Sequence, residues 1–242
     1  MTPLLSVSGL QKSFGAVVVA DETSLDVAKG EALGILGPNG AGKTSLFNLI
    51  AGTLRPDAGK IEFLGTDITK SSPAARCKSG IARSFQIPQP FGGMTVFENA
   101  LVGATQGAGL YGQDAEQHAL SVLNETGLLH KANQRAGTLT LLERKRLELT
   151  RALAAKPKLL LLDEIAGGLT EGECKSLIET IQSIHARGTT IVWIEHVVHA
   201  LLAVVDRLVV IDFGKKIAEG APKEIMESPE VKEIYLGVDP DV

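Results

Sequence analysis

Cysteine is scarce: the 242 residues hold two, Cys77 and Cys174, far apart and in no CxxC spacing. That excludes a disulfide framework and a cysteine-built zinc site, and it fits a reducing compartment with both thiols structural. Long apolar runs are missing too. The best of them, HALLAVVDRLVVIDF over residues 199–213, is interrupted well before the roughly 18 residues that a membrane span needs, and no early stretch joins basic residues to an apolar core of signal-peptide length. The chain is therefore expected to be soluble, and to meet a membrane only by docking onto a membrane protein. No sign of charge dominates: 24 Lys and Arg against 28 Asp and Glu leave a formal net charge of -4, which gives no global attraction for nucleic acid. Neither an internal repeat nor a low-complexity tract occurs.

What is present is ordinary for a folded protein, with 44% apolar and 21% charged residues over a length that suits one large α/β domain or one domain with a smaller insertion. The first third alternates β-like segments, LLSVSGL, AVVVA and TSLDVA, which predict a small antiparallel sheet ahead of the buried strand EALGILG. After a glycine-rich turn, KTSLFNLIAG carries Leu46, Leu49 and Ile50 at helical spacing and stops at Gly52. The strand KIEFLG, a helix near SPAARCKSG and the strand IARSFQ follow, and IPQPFGGM, with two prolines and two glycines, reads as a hinge. From Thr95 to about Lys156 the reading is mainly helical, with a glycine-containing linker at TQGAGLYG. Beyond it KLLLLDE, TTIVWIE and RLVVID alternate with helical stretches, one of which sets Leu177, Ile178, Ile181 and Ile184 on one face. Strands buried on both faces with helices between them predict a parallel sheet. GKKIAEG and a helical tail close the chain.

GPNGAGKTS, from Gly37 to Ser45, matches G-x-x-x-x-G-K-[ST] through Thr44 and lies between a predicted strand and a predicted helix. In such a loop, Gly37, Pro38, Asn39, Gly40, Ala41 and Gly42 turn backbone N–H groups inward around phosphates, and the helix N-terminus adds positive potential. Lys43 then meets the β and γ oxygens, Thr44 offers its hydroxyl to Mg2+, and Ser45 completes the binding segment. LLLLDE places Asp163 and Glu164 at the C-terminal end of a buried strand, where open parallel sheets bind ligands. Neighbouring strand residues point to opposite sides, so the two acids suit different tasks: Asp163 the Mg2+ shell, Glu164 a water that it orients or deprotonates. An acidic strand end alone is compatible with plain solvation; downstream of a phosphate loop it reads as catalytic.

On these residues the chain resembles the nucleotide-binding subunit of ATP-binding cassette transporters, over almost its whole length. The resemblance implies a phosphate-loop NTPase of this cassette type: an α/β fold with a mixed or parallel core sheet, an N-terminal antiparallel β-subdomain and an inserted α-helical subdomain. Residues 1–86 and 157–242 would form the nucleotide-binding core and 87–156 the helical unit. It implies that Gln86 is the glutamine that senses the γ-phosphate and, with Thr44 and Asp163, serves Mg2+; that His196 is the histidine contacting the γ-phosphate; and that Phe14 stacks on adenine. ATP and Mg2+ are the implied cofactors. GIARSFQIPQPFGGMTVFENALVG and the tail EIYLGVD further resemble the ATPase of importers for branched-chain and other hydrophobic amino acids. The implied partners are a second cassette, membrane permeases and, indirectly, a solute-binding protein, at the inner face of the cell membrane and without nucleic acid. A non-transport cassette ATPase or an ATP-dependent regulatory module is the alternative, which 242 residues with one phosphate loop fit less well.

LTLLERKRLELTRAL, residues 139–153, occupies the place of the family's signature motif, usually LSGGQ, where a serine and glycine amides at a helix mouth hold the γ-phosphate bound to the other subunit. Here Thr140 retains the hydroxyl, while Leu141 and Leu142 replace the glycines and Glu143 the glutamine. Bulk and negative charge at that mouth weaken the contact. Thr140 to Glu143 is also T-x-x-E, a capping box that starts a helix well and ties the carboxylate to its own backbone. Weakened contact and tolerated variant both stand open. The resemblance implies a hetero- or homodimer of cassettes, and a complete phosphate loop beside an incomplete signature favours the heterodimer, with a partner that carries a regular one. Ile165 and Thr170 depart further, standing where a proline and an aspartate are common.

Overall fold

A computed structural model describes residues 2–236; of the tail EIYLGVD, its last three residues lie outside them. Strands β1 (Leu5–Phe14) and β2 (Val17–Val27) form a long hairpin, and β3 (Ala32–Leu36) leads into α1 (Lys43–Ala51). The segments AVVVA and TSLDVA, expected as two strands, are one. Glu22, at φ 52°, lies at one of the three register shifts against β1, between the pairs Leu10–Thr23 and Lys12–Ala20, and there the pairing bulges instead of breaking. Next come β4 (Ala58–Phe63), β5 (Thr66–Asp67), α2 (Pro73–Ser79) and β6 (Ile81–Arg83), the last shorter than the IARSFQ expected.

The helical stretch holds α3 (Val96–Val102), a π-helical turn at Gly103–Gly107, α4 (Gly112–Glu125), two 3-10 turns, and α5 (Leu141–Ala154). The expected glycine linker is thus half helix. Gly107 in it and Gly103 just before it serve close packing: a Cβ on Gly103 would lie 2.5 Å from the Arg151 carbonyl, and one on Gly107 2.4 Å from the Ala155 methyl, whereas Gly109 and Gly112 have open space and positive φ. The remainder alternates as expected: β7 (Leu159–Asp163), α6 (Glu171–Ala186), β8 (Thr190–Ile194), α7 (Val198–Leu202), β9 (Arg207–Asp212), β10 (Lys215–Gly220), α8 (Pro222–Glu227) and α9 (Pro229–Leu236).

One sheet, in the order β2-β1-β4-β5, is antiparallel. The other, β10-β9-β3-β8-β7-β6, is parallel except for β10 at its edge. Period-two alternation sorts β7 between two cores: Leu159 and Leu161 face α1 and the antiparallel sheet, while Leu160 and Leu162 face α5 and α6. Helix α1 is sandwiched between the sheets by Leu46, Phe47, Leu49 and Ile50, all 2% exposed or less. Cys174 packs in the second core, as a structural thiol should. This layering brings the C-terminal ends of β3, β7 and β8 to one edge, and the phosphate loop, the paired acids and His196 lie there.

Candidate active site

Helix α1 begins at Gly42, which holds φ 100° as N-cap; a Cβ there would sit 2.2 Å from the Val19 carbonyl oxygen. Only glycine fits, and the tight start leaves the first-turn amides of α1 open to a ligand. The Lys43 ammonium folds back over the loop and donates to the carbonyls of Gly37 at 2.7 Å and Pro38 at 2.9 Å. Burial lowers its pKa, and the charges of Glu164 and Asp163 pull it back up, so the lysine lies within electrostatic reach of both acids. Ala41 is tied by its carbonyl to the Gly214 amide at 2.9 Å, and Thr44 and Asn39 are exposed. Ser45 is half-buried on the first turn of α1.

Asp163 ends β7 almost completely buried. Its Oδ2 accepts from Arg83 at 2.5 Å, while Oδ1 is buried with no hydrogen-bond partner. A buried oxygen left without a donor is costly, and a cation would relieve it. Arg83 also donates to Asn48 Oδ1 at 2.6 Å and lies over the rings of Phe47 and Phe85. Glu164 takes the left-handed conformation, φ 46°, held by its amide on the Ile194 carbonyl at 2.8 Å. Its two oxygens are both engaged: Oε2 accepts from Gln86 Nε2 at 2.5 Å and Oε1 meets His196 Nε2 at 2.9 Å. The segments leaving β6, β7 and β8 thus converge on one carboxylate.

Phe14 lies outside that network, at the end of β1, 53% exposed with the Lys12 ammonium 5.4 Å above its ring. The mouth of α5 is also separate. Thr140 accepts from the Glu143 amide at 3.4 Å, Glu143 accepts from the Thr140 amide at 2.9 Å, and Lys131 donates to the other Glu143 oxygen at 2.6 Å. The two leucines diverge. Leu142 packs half-buried against the core, and Leu141, 45% exposed, adds the greater bulk to the mouth. Thr170 proves to be the N-cap of α6 in a capping box with Glu173. Away from the site, His118 meets the Ala154 carbonyl at 3.1 Å and His185 the Gly30 carbonyl at 2.9 Å.

Four residues of this neighbourhood carry no motif: Asn48, Arg83, Lys145 and Glu195. Arg83 and Glu195 are legible only as charges in otherwise apolar strand segments, and Lys145 sits in a run of charges that does not tell which one faces inward.

The family described as ABC transporter matches residues 20–167, from β2 through the segment after the paired acids. The chain belongs to that family. A second family, described as Branched-chain amino acid ATP-binding cassette transporter, matches residues 215–241 of this cassette. The high-affinity branched-chain amino acid transport ATP-binding protein LivG of Salmonella typhimurium is 35% identical over 250 residues, covering 97% of this chain and 98% of that one. The corresponding protein BraF of Pseudomonas aeruginosa is 34% identical over 252 residues, with the same coverage. Among solved structures, the ADP conformation of an ATP-binding cassette of an ABC transporter superposes with a TM-score of 0.89 at 33% identity, over 98% of this chain and 100% of that one. A nucleotide-free cassette superposes with a TM-score of 0.88, also at 33% identity. The cassette is accordingly a nucleotide-binding ATPase whose hydrolysis is coupled to transport.

Proposed function

We propose that this cassette energises an importer for branched-chain or other hydrophobic amino acids. The observation that carries the mechanism is the convergence of Gln86 and His196 on Glu164 beside a phosphate loop and a buried aspartate. Lys43 and the amides of Gly40, Ala41 and Gly42 hold phosphate. Asp163 Oδ1, Thr44 and Gln86 suit Mg2+, which would neutralise phosphate charge during transfer. Among the described residues no cluster of three His, Cys, Asp or Glu side chains could hold a metal unaided, so the ion would arrive with its nucleotide. Glu164 orients or deprotonates the attacking water, His196 and Gln86 read the γ-phosphate, and Phe14 stacks on the base.

The solute class rests on the named relatives, which match nearly end to end, and on the match at residues 215–241. Residues 87–156 act as the helical subdomain against a core of 1–86 and 157–242. The exposed Ile87 and Phe91 on the hinge after Gln86 support an apolar contact with membrane permeases, and with it a location at the inner face of the membrane. A solute-binding protein contributes indirectly. No helix among the described residues is long and apolar enough to cross a membrane. The second cassette carries the regular signature, because this one offers Leu141 and Glu143 in its place.

Co-purified with its permeases and placed in vesicles, the cassette should drive ATP-dependent uptake of labelled leucine, isoleucine or valine. Lys43→Ala should abolish nucleotide binding and uptake together. Unchanged affinity and turnover in that variant would reject the site; intact Mg-dependent ATPase with no uptake of any hydrophobic amino acid would reject the solute class alone.

A further inference from the structure

Glu195 follows β8 directly and is 1% exposed. Its side-chain oxygens accept three backbone N–H groups: Oε2 from Ala166 at 2.9 Å, and Oε1 from His196 at 2.9 Å and Val197 at 3.3 Å. Ala166 lies two residues beyond Glu164 on the segment that leaves β7. His196 and Val197 begin the segment that leaves β8. One buried side chain therefore spans the two segments whose own side chains, Glu164 and His196, meet at 2.9 Å. Lys145, on α5 and 4% exposed, adds a third brace: its ammonium lies 3.4 Å from the Glu164 carbonyl and within electrostatic reach of Glu195.

The bracing answers a local need. Glu164 holds a left-handed backbone conformation that a non-glycine residue keeps only when its surroundings impose it. The Glu164 amide is fixed to β8 through the Ile194 carbonyl, but beyond it the chain has left the sheet. The orientation of the Glu164 side chain toward a water thus depends on what fastens residues 165 and 166.

We propose that Glu195 is a positioning residue for ATP hydrolysis, setting the Glu164–His196 geometry by holding the backbone on both sides while touching no nucleotide. The proposal rests on the reading of Glu164 and His196 given above. A carboxyl group suits the task because both of its terminal atoms accept. In glutamine one of them becomes an NH2 group, which cannot accept from an amide and leaves either the Ala166 bond or the His196 and Val197 pair unmade. Aspartate keeps both acceptors but is one methylene short, so it cannot reach both segments at once.

The test uses the assembled transporter for turnover and the isolated full-length chain for binding. In Glu195→Gln, kcat should fall about 10- to 100-fold, the scale at which small misplacements of reacting groups act, while KM and the affinity for a fluorescent ATP analogue change less than about threefold. Glu195→Asp should lie between that variant and the parent, and it serves as the readout if the glutamine variant does not fold. The His196 ring resonances, assigned by their loss in His196→Ala, should shift in either variant. A kcat within about twofold of the parent with unmoved resonances would overturn the proposal, as would a loss of nucleotide affinity equal to the loss of kcat, which marks general destabilisation. Glu164→Gln run in parallel separates the failures. If it leaves turnover intact, the reading of the site falls; if it abolishes turnover while Glu195→Gln is silent, only the present inference falls.

Discussion

Arg76 is 1% exposed and forms no salt bridge among the described residues, yet its guanidinium makes four hydrogen bonds. It donates to the carbonyls of Leu49 and Ile50 at the C-terminal end of α1, and to those of Thr69 and Ser71 on the loop before α2. The last carbonyls of a helix have no intrahelical donor, so a cation placed there satisfies them and complements the helix dipole. Burial lowers the Arg76 pKa, against the opposing charge of Asp67. Arg76→Met would keep much of the volume and take a donor from each of four carbonyls, of which that of Leu49 retains the Gly52 amide. Stability should fall by about 2–3 kcal/mol, measured as a shift in the urea midpoint, and a change under about 0.5 kcal/mol would refute this account. Such a residue was not legible in the sequence, where RCKSG reads as an ordinary basic helix end. The same holds for Arg83: residue type marks a charge, and only the fold tells that it is buried against Asp163.

At the scale of elements, three helices open with the same device. Thr95 with Glu98, Thr140 with Glu143, and Thr170 with Glu173 each pair a threonine hydroxyl with the N3 amide and a glutamate with the cap amide. Backbone and hydroxyl bonds from the capping threonine hold the carboxyls of Glu98 and Glu173 below the ordinary value of 4.5. At Glu143 burial pushes upward, but Lys131 and Thr140 outweigh it and the net shift is again downward. A depressed folded pKa means stabilisation that is complete above the unfolded value and disappears as pH falls through the folded one. The urea midpoint should therefore decline on acidification below about pH 4.5, and a triple Glu→Gln variant, which keeps an acceptor at each cap, should decline less steeply. Parallel curves would exclude the caps as the source. Of the three boxes the sequence reading contains only that at Thr140; at Thr170 the family position, commonly aspartate, masks the helix start that the threonine caps. Helices and buried strands were otherwise legible because their periodicity is strong. The linker at residues 105–112 was misread because glycine marks both flexible chain and close packing, and nothing local distinguishes the two.

For the molecule as a whole, the order strand, phosphate loop, helix, hinge, helical unit, acidic strand end and histidine was legible because each chemical task needs particular residue types at a sheet edge. How the mouth of α5 meets a second cassette depends on side-chain direction, which sequence does not convey. Leu142 is partly buried against the core, so the mouth departs from LSGGQ chiefly by one exposed leucine and one carboxylate, and Lys131 already offsets the latter. The helix dipole and the Thr140 hydroxyl remain, which predicts a weakened contact rather than an abolished one. In the proposed pairing with a second cassette that carries a regular signature, the nucleotide held by that partner would face this mouth and the nucleotide held here would face the partner's signature. Turnover should then be asymmetric: Glu164→Gln in this chain should remove most ATPase activity of the assembled transporter, and the matching change in the partner should cost less. Leu141→Gly combined with Glu143→Gln, which restores close approach and removes the charge, should raise the partner-site rate by up to about tenfold, the equivalent of one charged hydrogen bond regained. Equal losses from the two glutamine variants would mean that both composite sites work alike, and the mouth of α5 would then be a capped helix start whose leucine and glutamate are simply accommodated.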